Sequence, residues 1–414
     1  METKNIHSAI FDSRYEVSST IYTYLRHHWV NLAALTLVVI ILRTLYGRFA
    51  SPCLDNSHRS SDDSDDPAKQ TIFLPYTKPF SREEIPMVNA TVAGVEIEMP
   101  MDTGSIGILI GAPLLPHIDT SKATPAYQYF SSSKILYNGR LVDLPVKFHG
   151  RGPDSYAIAT VPVLVVDWSV VCPWYDPAVD TFECPPNPDE PEPVLRDVSH
   201  ITYMGVGFGR NRRGSEQPNT LPSANPFLNI ESIDGKPVAK DFKTGYTIST
   251  KGVHLGLTEE DERGFAWSKL EPGLTHDDDR RDWAMVKTCF SVDGGSDNCG
   301  SALIDTGIQQ LYLKAVEGVE TPNVTIPNPN PDGNAKFVNR VKTGTKIEIG
   351  FSRLNGTVGR YGFKVGGETK MAPSYVVPLK QGDAAFVNTG RNFLFGYTVA
   401  FDATGGRFGF RRVS

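Results

Sequence analysis

No long helical period runs through this chain, which argues against a regular alternation of strands and helices. Positive charge is not in excess: 47 acidic residues face 41 basic ones, a formal net charge of −6. Nothing in that balance invites nucleic acid as a partner. Metal chemistry lacks its usual vocabulary. The five cysteines contain no Cys-x-x-Cys, and the nine histidines fall into no ligand spacing, so a structural zinc site is excluded. The run His276-Asp277-Asp278-Asp279-Arg280-Arg281-Asp282 reads as a solvated charged turn, with a metal site as the weaker alternative. No metal and no cofactor is expected. What is present is 40% hydrophobic residues over 414 positions, enough for two domains with proper cores.

Apolar residues gather into one run near the start. Residues 29–46, Trp29 to Tyr46, are dominated by Leu, Val, Ile and Ala, just long enough to cross a bilayer. Trp29 and Tyr46 mark the two interfaces, and Arg43 lies near one end, where it reaches the headgroups. A cleaved signal peptide fits less well, because the polar segment before the run is long and no small-residue cleavage site follows. A buried soluble helix fits less well too, because Ser60-Ser61-Asp62-Asp63-Ser64-Asp65-Asp66 continues as a solvated acidic stem. The expected division is a cytosolic tail over 1–28, a transmembrane signal-anchor over 29–46 and a disordered stem over 47–70.

Beyond the stem, Gly, Pro, Ser and Asn punctuate short β-type runs. Strands are expected over 87–92, 95–99 and 157–166. Two stretches stand out: Pro100-Met101-Asp102-Thr103-Gly104-Ser105 and Leu303-Ile304-Asp305-Thr306-Gly307-Ile308. Each is an Asp-Thr-Gly between apolar runs, so each aspartate sits at a tight loop on a rigid base. One such tripeptide is weak evidence, since it is also a plain β-turn. Two in matching frames, 203 residues apart, amount to one per domain. Two carboxyl groups in contact cannot both ionise and share one proton. The charged one takes a proton from water, and the neutral one donates to a carbonyl.

These residues resemble the pepsin-like aspartic peptidases over roughly residues 76–414. The resemblance implies an all-β fold with minor helix: an N-terminal β lobe over 71–248, a C-terminal β lobe over 249–414, and a cleft between them. It implies Asp102 and Asp305 as catalytic residues, supported by Thr103, Gly104, Ser105, Thr306 and Gly307. Thr103 and Thr306 resemble the pair that cross-links the two loops. Tyr203-Met204-Gly205 and Leu394-Phe395-Gly396 resemble the apolar-apolar-Gly segments that thread beneath each loop. Three positions depart from the family. Ile308 stands where a Ser or Thr donates to the second carboxylate. His149, in His149-Gly150-Arg151-Gly152, stands where the flap hairpin carries a tyrosine, with Tyr137 and Tyr156 as other flap candidates. Leu109 stands where a tryptophan often packs on that tyrosine. The implied function is a membrane-anchored endopeptidase with a peptide or protein substrate, and a monomer is expected. The alternative is a catalytically silent homologue that binds peptides or partner proteins in the same cleft. A hydrolase recruited to a small-molecule pathway is a remoter reading.

Cys172 with Cys184, and Cys289 with Cys299, read as two small disulfide loops, which implies an oxidising compartment. The second pair is also placed like a disulfide common in the family's second lobe. Cys53 is left over, either free, acylated or bridged to another chain. Sequons at Asn89, Asn323 and Asn355 fit glycosylation. Together these place the lobes in the lumen or outside the cell (secretory pathway, vacuole or cell surface), with a cytosolic N-terminus.

Overall fold

A computed structural model of the chain describes residues 70–188, 192–211, 220–329, 336–354, 356 and 358–413. The expected tail, membrane span and stem, apart from Gln70, lie outside the described residues, as do Cys53 and Asn355. Among the described residues no helix is long and apolar enough to cross a membrane.

The fold is all-β and bilobed. Strand Met87–Val92 shows why. Its period-two pattern buries Val88, Ala90 and Val92 and leaves Asn89 exposed, as one covered face requires. It pairs in register with β1, Val95–Asp102. The next strand, β2 (Ile106–Gly111), is buried at every position, matching its unbroken apolar sequence. Then come β3 (Thr124–Phe130), β4 (Ile135–His149), β5 (Tyr156–Val171) and β6 (Thr202–Val206), within a ten-stranded sheet. Helix is short: α1, Glu259–Glu262, is a single turn held by a capping box between Thr258 and Asp261.

The second lobe is a seven-stranded sheet. It contains β7 (Asn298–Leu303), β8 (Leu311–Lys314), β9 (Val376–Pro378) and β10 (Ala385–Asn388). A six-stranded sheet takes strands from both ends of the described chain: Ile72–Pro75 at one edge, with Tyr397–Asp402 and Arg407–Arg412 inside it. The expected lobe boundary at 248/249 falls within its strand Gly245–Ser249. The junction is therefore hydrogen-bonded sheet. Phe208 stacks on Phe401 at 4.1 Å between ring centroids, adding aromatic packing to that shared sheet.

The turn at 276–282 is solvated over much of its length, with Asp277, Asp278 and Arg280 exposed, but its last residue is not. Asp282 is buried and accepts from Thr275 N and Oγ1 at 2.7 and 2.8 Å and from Asn211 Nδ2 at 3.1 Å. A buried carboxylate is tolerable when hydrogen-bonded in this way.

Cys172 is bonded to Cys184, and Cys289 to Cys299. The second pair sits directly opposite across two antiparallel strands. Replacing Cys172 and Cys184 together by Ser should cost about 2–3 kcal/mol, because the closed loop no longer constrains the unfolded chain. Urea denaturation measures this. An unchanged midpoint would contradict a structural role for that bridge.

Candidate active site

The two Asp-Thr-Gly loops are built by the same local topology. β1 runs into Asp102 and is flanked in parallel by β6, with Asp102 opposite Gly205. β7 runs toward Asp305 and is flanked in parallel by β10, with Leu303 opposite Asn388. The strand leaving each loop then pairs antiparallel with the same flanking strand, β2 with β6 and β8 with β10. Each loop is thus fixed on both sides by main-chain hydrogen bonds. The segment beneath the second loop is Asn388-Thr389-Gly390: Thr389 N donates to Leu303 O at 2.9 Å. Leu394-Phe395-Gly396, expected there, lies beyond it. Leu394 and Phe395 end a 3-10 turn, Arg391–Phe395, and Leu394 packs into the core.

The loops are laced to each other through their threonines. Thr103 N donates to Thr306 Oγ1, and Thr306 N to Thr103 Oγ1, both at 3.0 Å. Each hydroxyl then donates across to the opposite chain, Thr103 Oγ1 to Ile304 O at 2.5 Å and Thr306 Oγ1 to Met101 O at 2.7 Å. All four groups are buried, so each bond is made where an unmade one would be costly. The glycines complete the approach. A Cβ on Gly104 would stand 2.4 Å from the Asp305 carboxyl carbon, and one on Gly307 would stand 2.5 Å from Asp102 Oδ1. Only glycine lets the two carboxyls come this close.

The carboxyls have unequal surroundings. Asp102 accepts from Gly104 N at 2.6 Å, from Ser105 Oγ at 2.9 Å and from the Tyr203 hydroxyl. Asp305 accepts from Gly307 N at 2.8 Å and from Asn388 Nδ2 at 2.6 Å. Burial, the charge of Asp102 and a hydrogen bond with Asp102 push the Asp305 carboxyl up to about 8, against the pull of Asn388 and Gly307. Asp102 has one donor more than Asp305, and Asp305, with its raised proton affinity, is the member that keeps the proton.

Three site residues were missed from sequence. Asn388 supplies the donor that Ile308 lacks, and its Oδ1 is held by Gly390 N at 3.1 Å. Its signal was a polar residue two before a glycine on the segment paired with β7. Tyr203 was read as an apolar member of its triplet, and its hydroxyl was overlooked. Arg391 is buried and donates to three carbonyls: Thr306 O, Gly307 O and Arg82 O, each at 2.9 Å. Burial lowers its proton affinity, while the charges of Asp305, Asp102 and Glu83 raise it. A guanidinium therefore braces the second loop, and among the described residues it forms no ion pair of its own.

The hairpin next to the carboxyls is not the one that carries His149 and Gly150. β4 and β5 turn at residues 150–155, where His149 Nε2 lies 2.8 Å from Thr91 Oγ1 and the space beside Gly150 is filled by Ser155 and Ile72. Tyr156 starts the return strand there. The β3–β4 hairpin instead carries Phe130, 4.6 Å from the Tyr203 ring and 5.4 Å from that of Tyr137. Leu109 packs in the same cluster. Tyr137 thus belongs to the hairpin that reaches the site, and His149 and Gly150 do not. The sequence offered both turns, with Tyr137 on one and His149 and Gly150 on the other, because Gly-x-Gly marks a tight turn without saying which one lies beside the site.

No protein-family model matches the chain, and no curated protein matches it.

The raised proton affinity of Asp305 makes stability depend on pH. A carboxyl protonated more readily in the folded state stabilises fully below its unfolded value, about 4. That contribution is lost as pH rises through about 8. Thermal midpoints of the wild type should fall across this window, and Asp305→Asn, which does not titrate, should flatten the fall. An equally steep decline in the variant would contradict the assignment.

Proposed function

We propose that the protein is an aspartic-type endopeptidase, pepsin-like in its catalytic apparatus, with Asp102 and Asp305 as the dyad. The observation that carries this reading is two buried carboxyls held together by crossed threonines, one rich in donors and one that retains its proton. Such a pair supplies a base and an acid at once. Asp102 takes a proton as a water oxygen adds to the carbonyl carbon of the peptide. Asp305 gives its proton to the carbonyl oxygen, leaving a neutral tetrahedral diol. The proton on Asp102 then passes to the amide nitrogen, the C–N bond breaks, and Asp305 recovers a proton from the diol as the carboxylic acid forms. The loops are fixed before substrate arrives, so little reorganisation is needed at the reacting centre.

A peptide or protein substrate suits this chemistry. Residues 29–46 anchor the chain in a membrane in the same proposal, with the lobes lumenal or extracellular. Two disulfides and the exposed Asn89 and Asn323 support that side of the membrane. One observation favours the second reading, a silent peptide-binding homologue: the Tyr203 hydroxyl lies on Asp102 Oδ2, an oxygen that an attacking water needs.

Cleavage of a diverse peptide library by wild type, Asp102→Asn and Asp305→Asn separates the two readings. Wild type should cleave, best on the acid side of the Asp305 transition, because loss of the proton held on Asp305 removes the acid. Each variant should fold and lose at least about 10³-fold in rate, the scale of a lost acid–base group. A folded wild type that cleaves nothing at any pH would leave the silent homologue.

A further inference from the structure

Tyr203 stands on β6, opposite Leu109 of β2. Its hydroxyl contacts Asp102 Oδ2 and lies 3.2 Å from Ser105 Oγ. Its ring is covered by Phe130 from the β3–β4 hairpin, and Tyr137 lies behind Phe130. A half-buried phenol held against Phe130 without a partner would be costly, and here the partner is the carboxylate itself. The side chains that join the hairpin to the reacting carboxyl are therefore Phe130, Tyr203 and Asp102, in contact one after another.

We propose that Tyr203 is a positioning residue of the dyad: a donor that holds Asp102 as the charged base and is itself held by Phe130 of the hairpin. The proposal rests on the reading of Asp102 and Asp305 as a hydrolytic pair. Among the described residues the charged and titratable groups near the contact are few, and Arg196, which reaches Tyr137, is one of them. Asp305, Arg391 and Tyr312 come from the second lobe, Arg391 being within electrostatic reach of both carboxyls and Tyr312 of Asp305. Tyr137 comes from β4. Burial, the charge of Asp102 and the hydrogen bond to it hold the Tyr203 phenol well above its ordinary value. It therefore stays protonated at any pH where the dyad works, as a permanent donor. Removing it takes one hydrogen bond from the charged form of Asp102 and leaves the neutral form little changed, so the pair must take up its second proton more readily.

The test is carbon NMR of the full chain with 13Cγ-labelled aspartate, titrated in wild type, Tyr203→Phe and Tyr203→Leu, with Asp102→Asn to assign the signal. The pH at which the pair takes up its second proton should rise by about one unit in both Tyr203 variants, the scale of one hydrogen bond to a charged group. Phe130→Ala should move it the same way and less. Where peptide cleavage is measured, the acid limb of the rate profile should follow. A titration that does not move in the folded Tyr203 variants overturns the proposal. A moved titration with no cleavage by wild type supports the role of Tyr203 and overturns the endopeptidase reading instead. A folded Tyr203→Phe that cleaves faster with its titration unmoved would make the phenol a blocking group and also overturn the proposal.

Discussion

Everything at this site depends on the crossed hydrogen bonds between Thr103 and Thr306. Two carboxyls repel when both are charged, and neither loop alone would hold its aspartate against that repulsion. The threonines tie each loop to the main chain of the other, in a buried setting where the bonds do not compete with water. Gly104 and Gly307 then let each carboxyl occupy the space a side chain would fill. The shared proton follows from this enforced contact: one of the two must stay neutral, and the donors decide which.

The asymmetry of the donors gives the site its particular character. Ser105 and Tyr203 crowd one oxygen of Asp102, while Asn388 alone replaces the hydroxyl absent at Ile308. Beneath the second loop, Arg391 places a buried cation on the carbonyls of Thr306 and Gly307. The charges of Asp305, Asp102 and Glu83 all lie within its electrostatic reach, so it favours negative charge on the dyad nearby.

How much of this was legible in the sequence varies with the range of the interaction. The all-β class and the strands around Asp102 could be read because apolar spacing and turn residues are local signals. The carboxyls and threonines could be read because the same tripeptide recurs in matching frames. The cysteine pairs could be read from their closeness along the chain. Asn388, Tyr203 and Arg391 could not. Each acts on a loop or aspartate 83 to 101 residues away, Asn388 and Tyr203 through one polar atom and Arg391 through its guanidinium, and no spacing rule connects it to the aspartate or loop it serves. The hairpin was left undecided between Tyr137 and His149 for a related reason. Gly150 and Gly152 mark a turn, but only the pairing of β3 with β4 shows that Phe130 is the residue beside Tyr203.

The account turns on one proton held between two carboxyls, and infrared spectroscopy of the carboxyl stretch measures it most directly. At neutral pH the folded protein should show a neutral carboxylic acid band that vanishes as pH rises through about 8 and is missing from Asp305→Asn. A neutral-pH spectrum in which that band is already absent, with both aspartates ionised, would contradict the account.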